Sequence, residues 1–173
     1  MSPDRHGSAV IEFPNELEIV LKREFDAPIG LVFDVLTKPE HVRHWGATPP
    51  DRMLECSIDL RVGGSYHSSF LTADGTVFSF HGTYLEVEPP TRTVETWHFD
   101  LWPDVEAVET MQLDEADGVT TFTWTMAFRD AAGRAHMSMF DGGEIPEGGQ
   151  LDSLDAIEDI LRSLLDPSGT VTE

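Results

Sequence analysis

Cysteine is almost missing. Cys56 stands alone in 173 residues, so no disulfide can close within the chain, which fits a reducing compartment such as the cytoplasm. Basic side chains are also sparse: two lysines and nine arginines face 32 acidic residues, for a net charge of -21. Binding to phosphate backbones or anionic headgroups needs clustered Lys and Arg, and no cluster is present, so nucleic acid is not an expected partner. Apolar runs are only a few residues long, against the roughly 20 needed to cross a bilayer, and membrane insertion is not expected. Met1 to Asn15 lacks an apolar stretch behind a basic start and does not read as a signal peptide. Residues 1–15 are expected to form a flexible N-terminal extension. The acidic surface serves solubility or suits a high-salt setting, and composition does not choose between them.

What the chain does contain is a core. Hydrophobic residues make up 40% of it, with ten Phe and four Trp. A chain of this length buries about 70% of the surface its unfolded form exposes, enough for one domain, expected over 16–166 with a tail at 167–173. Leu17, Ile19, Leu21 and Phe25 alternate with charged residues, the two-residue period of a strand with one buried face. Pro28 then opens a helix carrying Leu31, Val32, Val35 and Leu36, and Lys38-Pro39 separates it from a short second helix. Strands follow at 54–60, 65–71, 77–87, 93–99, 105–113 and 119–128, broken by Gly63-Gly64, by Ala-Asp-Gly at 73–75 and 116–118, by Pro89-Pro90 and by Trp-Pro-Asp at 102–104. Such turns make hairpins, so the sheet is expected to be antiparallel. Leu151, Leu154, Ile157, Leu161, Leu164 and Leu165 recur at three and four, placing one apolar stripe on a C-terminal helix. The order predicts an α+β fold in which a curved antiparallel sheet of about seven strands wraps a long C-terminal helix, with two short helices after the first strand.

The run REFDAPIGLVFDVLTKPEHVRHWG, with DLRVGGSY at 59–66 and ADGTVFSFHGTYLEVEPP at 73–90, resembles the SRPBCC (START-like, helix-grip) superfamily. Within it, the run resembles the branch related to the activator of the ninety-kilodalton heat-shock protein ATPase. The matching positions include Phe25, Asp26, Ala27, Pro28, Val32, Phe33, Pro39, Glu40, His41, Trp45 and Gly46. The resemblance covers roughly residues 17 to 165 and implies the helix-grip fold, with a space left partly open between sheet and helix. This branch commonly has Trp-Trp-Gly where His44-Trp45-Gly46 stands here, and an aromatic near Gln150. The Gly-rich segment 133–150, with Met137, Met139 and Phe140, is expected over the cavity mouth.

HVRHWG (41–46) raises the question of a metal. Two histidines at i and i+3 supply at most two of the three or four ligands a zinc or iron site needs. His67, His81, His98 and His136 could complete a set in principle, but no recognised ligand motif supports one. The expectation is packing for His41, surface for His44, and a place for Trp45 at the pocket entrance, with no metal or cofactor. Cys56 shares parity with Leu54, Ile58 and Leu60, where a thiol is a small core group. The serines lack a nucleophile-elbow context.

Inward charges carry the remaining signal. Arg23 shares parity with the apolar set of the first strand, Glu95 with Trp97 and Phe99, and Glu109 with Ala107, Met111 and Leu113. A buried charge needs a partner. Either Arg23 pairs with Glu95 or Glu109, or Arg23 meets a ligand carboxylate, enolate or carbonyl while a Glu accepts a proton. Tyr66, Phe70, Phe78, Phe80, Tyr84, Trp97, Phe99, Phe122 and Trp124 lie on separate strands and can converge; they either fill a core or line a cavity. The expected function is binding of a small hydrophobic or amphipathic molecule, by a carrier or sensor. Alternatives are a cyclase or aromatase-type enzyme in the same cavity, and a protein-interaction domain resembling the ATPase activators. Cavity candidates are Arg23, Trp45, Tyr66, Phe80, Tyr84, Glu95, Trp97, Glu109, Trp124, Met137 and Phe140. Self-association as a homodimer stays open.

Overall fold

The computed structural model describes residues 3–141 and 150–166; the remaining residues, with the side chains of Gln150 and Leu151, lie outside the described residues, and much of the expected lid falls there. Eight strands form one antiparallel sheet: β1 (Val10–Glu12), β2 (Glu18–Phe25), β3 (Arg52–Ile58), β4 (Ser65–Leu71), β5 (Val77–Glu88), β6 (Arg92–Phe99), β7 (Ala107–Ala116) and β8 (Val119–Phe128), in the order β1-β2-β8-β7-β6-β5-β4-β3. Helices α1 (Ile29–Thr37) and α2 (Pro39–Trp45) follow β2. After β8 come α3 (Ala131–Ala135), a 3-10 turn (Ser138–Phe140) and α4 (Gln150–Leu165).

The strand count is eight rather than seven because β1 pairs with β2, Val10 opposite Lys22 and Glu12 opposite Val20. Much of the expected free extension is therefore tied to the domain. Arg5 reaches Asp26 at 2.9 Å and Glu24 at 2.5 Å, and the Gly7 N–H donates to Asp155 on α4 at 3.0 Å. Three residues are too few to show a period of their own, so only the pairing reveals this strand.

The turns behave as their sequences require. Asp117 and Gly118 sit at φ 53° and 78° between the paired residues Ala116 and Val119. That is the left-handed pair of a two-residue hairpin whose twist matches its strands. Alternation also holds along β2 and β8, where Ile19, Leu21 and Phe25 and then Phe122, Met126 and Phe128 are buried. It fails in β3. A register shift between Met53 and Glu55 leaves Leu54 47% exposed, against expectation, and sets Met53 opposite the inward-facing Phe70.

Two apolar clusters close the inner face. One joins Leu21, Phe25, Leu113 and Phe122 of the sheet to Val32 and Val35 of α1 and Leu154, Ile157 and Leu161 of α4. The other gathers Ile19, Trp97, Ala107, Met126 and Phe128 with Met137 and Phe140. The helical stripe ends at Leu161, since Leu164 and Leu165 are 43% and 49% exposed. Among the described residues no helix is long and apolar enough to cross a membrane.

Candidate functional site

Between the helices and the inner face of the sheet lies a cavity of about 720 Å³, lined from every strand from β2 to β8. One row of inward positions runs across the sheet into it: Ile19 opposite Met126, Met126 opposite Glu109, Glu109 opposite Glu95, and Glu95 opposite Tyr84. Directly opposed residues on antiparallel strands have Cβ atoms about 5 Å apart, so two carboxyls share one patch of apolar wall. Phe80, Trp97, Trp124, Phe70 and Phe99 surround them, with Met137 and Phe140 at one end. Phe80 stacks on Phe99 with centroids 4.7 Å apart and lies 5.6 Å from Trp97.

Electrostatics follow from this crowding. Glu95, 8% exposed, is pushed up to about 9, first by burial and then by the neighbouring Glu109 charge, with a hydrogen bond from Thr93 acting in the other direction. Burial also raises Glu109, opposed by hydrogen bonds with Trp124 and Glu95. Two close carboxyls in an apolar wall cannot both ionise readily, so the pair keeps a proton far above the usual carboxylate range. Glu95 Oε2 is sealed from solvent and meets no N–H or O–H donor among the described residues. Tyr66 and Tyr84, with ring centroids 5.7 Å apart, are raised by burial and then by the same two carboxyls. The Tyr66 hydroxyl donates to the Thr96 carbonyl at 2.9 Å. Gly82 permits that approach, because a Cβ there would fall on the Thr96 carbonyl oxygen and lie 2.8 Å from the Tyr66 ring. A carboxyl that holds its proton near neutrality can donate a hydrogen bond or a proton, and its neighbour can accept one.

Ten of the eleven candidates line this cavity: Trp45, Tyr66, Phe80, Tyr84, Glu95, Trp97, Glu109, Trp124, Met137 and Phe140. The Trp45 indole N–H donates to the Val35 carbonyl at 2.8 Å, binding α2 to α1 and fixing the ring in the wall. Met137 and Phe140, expected over the mouth, are 6% and 2% exposed and belong to the packed end, while Met139 is 54% exposed.

Arg23 is the exception. It points inward as expected, but it sits opposite Phe122, four residues along β2 from the Ile19 row. At about 3.3 Å per residue that is roughly 13 Å along the strand from that row, and Glu109 and Glu95 lie a further two and three strands across, too far for either expected partner. Instead it bonds Asp155 at 2.7 Å and pairs closely with Glu158, both on α4, so it ties the helix to the sheet and does not line this cavity.

The histidines do not enter the cavity either, although His81 and His98 stack with ring centroids 5.1 Å apart. His67, His81 and His98 form a cross-strand row of the opposite parity to Tyr66, Phe80 and Trp97, on the outer face of the sheet. Among the described residues, Asp4, His6 and Glu158 are the one set of three potential metal donors that comes together. Glu158 there is already bonded to Arg23 and Arg162, and His6 to Asp4 and Asp159.

Among the wall residues that sequence reasoning missed, two show why. Met53 enters through the β3 bulge, and Trp102 lies edge-on to Phe99 with centroids 4.9 Å apart. Neither had a periodic signal: one follows an irregularity and the other sits in a connection.

An antiparallel sheet curved around a terminal helix, with a cavity between them, is the helix-grip architecture of ligand-binding and interaction domains. Residues 26–159 match the family described as Activator of Hsp90 ATPase homolog 1-like protein, and the chain belongs to it. An uncharacterized protein of Schizosaccharomyces pombe is 30% identical over 121 residues, which are 69% of this chain and 32% of that protein; the chain thus spans about a third of this relative's length. Among solved structures, a Rhodobacter sphaeroides protein superposes with TM-score 0.77 at 18% identity, over 90% of this chain and 99% of that one. A Nitrosomonas europaea protein gives 0.72 at 23%, over 88% and 99%. These two likenesses concern the fold.

Proposed function

We propose that this chain encloses a small hydrophobic or amphipathic molecule, as a carrier or sensor. The observation that carries this reading is the cavity of about 720 Å³ set between two apolar clusters of buried residues. Interiors pack to the density of organic crystals and leave few voids larger than a water molecule, whereas binding pockets fall at about 300–1,000 Å³. Aromatic side chains large enough to fill the space stand around it instead.

Native mass spectrometry of the purified chain, with extraction of whatever it retains, tests this. A co-purifying apolar or amphipathic molecule, displaced when Ser68→Phe narrows the wall, supports the reading. A bare mass, together with no thermal shift from a lipid and polyketide panel, counts against it.

A second reading is favoured by the Glu95–Glu109 pair: a cyclase or aromatase-type reaction on a carbonyl substrate, with one carboxyl giving and the other taking a proton. Under it, Glu95→Gln and Glu109→Gln retain binding and lose turnover. The family's description names an ATPase activator. A chaperone-docking role would leave the cavity without a task, and Ser68→Phe would then leave activity unchanged.

A further inference from the structure

The walls of the cavity carry charge of one sign. No Lys, Arg or His lines it among the described residues, while Asp51, Glu95 and Glu109 do. A fatty acid or phosphate ester would bring its anion into an apolar space with no cation to meet it, at a cost of several kcal/mol. A cation faces the reverse situation: carboxyl oxygens to accept its hydrogen bonds and aromatic faces to hold its charge.

We infer that the cavity selects an amphipathic amine, with its ammonium group at the Glu95–Glu109 pair and its apolar body among Phe80, Trp97 and Trp124. The inference rests on the proposed ligand-binding reading and names the chemical class of the ligand. Two observations carry it. Glu95 Oε2 is buried without a donor, an acceptor position that the three N–H groups of an ammonium can satisfy. The pair also lies opposite Tyr84 and beside Trp97 and Trp124, so an ammonium seated there has aromatic rings on several sides.

The other titratable groups facing the pair are Tyr84 on β5 and Tyr66 on β4, with Asp51 elsewhere in the cavity wall. Among the described residues the α2 and α4 walls add Val42, Trp45, Ser153, Leu154 and Ile157, none of them titratable. A positive ligand therefore displaces the proton from the carboxyls themselves, and binding releases it to buffer.

The test uses decylamine, decanol and decanoate at neutral pH, titrated calorimetrically into the full chain and into E95Q/E109Q. Decylamine is expected to bind at least about tenfold more tightly than decanol, with decanoate weakest, and the preference for the amine is expected to vanish in the double variant. Decylamine no tighter than decanol, or a preference that survives the double substitution, overturns the inference and leaves the cavity reading standing. Binding of none of the three overturns both. If the double variant does not fold, proton release by the wild type decides, measured in two buffers of different ionisation enthalpy. Release with decylamine and none with decanol supports the inference, and no release with either overturns it.

Discussion

Arg23 on β2 and Glu158 on α4 form an ion pair almost wholly sealed from solvent, with side-chain exposures of 0% and 6%. Asp155 bonds the same guanidinium at 2.7 Å, and Arg162 bonds the same Glu158 at 2.7 Å. Removing Arg23 leaves the buried Glu158 carboxylate with the half-exposed Arg162 as its remaining cation. Arg23→Met is expected to cost about 3–5 kcal/mol of folding stability, read from urea unfolding, with the larger part of the loss restored by adding Glu158→Gln. An Arg23→Met protein as stable as wild type would mean that the pair does not hold α4 to the sheet.

Glu95 links stability to pH with a definite sign. Its folded value of about 9 lies above the ordinary 4.5, so the folded state holds a proton that the unfolded chain gives up. That contribution is complete below about pH 4.5 and is lost as pH rises towards 9. Urea midpoints of wild type should therefore fall relative to those of Glu95→Gln between pH 5 and pH 9. Comparing the two proteins at each pH cancels the general repulsion of the acidic surface. Parallel midpoints across this range would show that Glu95 titrates in its ordinary range.

Gly82→Ala places a methyl group against the Thr96 carbonyl and the Tyr66 ring, both bound to backbone or packed. The expected loss is about 1–3 kcal/mol by thermal or urea unfolding, with weakened ligand retention because Tyr66 must leave the wall. Unchanged stability would mean that the β5–β6 spacing yields freely.

Cys56 is 5% exposed, and burial pushes its thiol above the ordinary 9.0. An aromatic disulfide reagent at pH 8 is expected to react with it far more slowly in the folded chain than in urea. Equal rates would place the β3 edge in rapid opening.

The sheet was legible because its strands announce themselves twice, by alternation and by the turns that end them. Asp117-Gly118 is the clearest case, since its left-handed geometry follows from its residue types. Where alternation was broken, legibility ended: the Met53–Glu55 irregularity moved Leu54 to the surface and brought Met53 into the cavity. The short β1 had no pattern to read and exists through its partner.

The candidate site divides along the same line. That Arg23, Glu95 and Glu109 point inward is a matter of parity, which depends only on position along a strand. Which inward groups meet depends on register between strands far apart in sequence. The sequence by itself determined the class of fold, the acidic surface and the set of aromatic and carboxyl groups available to an interior. Only the tertiary structure decided that Glu95 and Glu109 stand opposite each other, that Arg23 is held by α4 four residues away from their row, and that the aromatics surround a space instead of filling it. The reason is that periodicity is local, whereas register, helix placement and the volume left between layers are set by how all the strands and helices pack together.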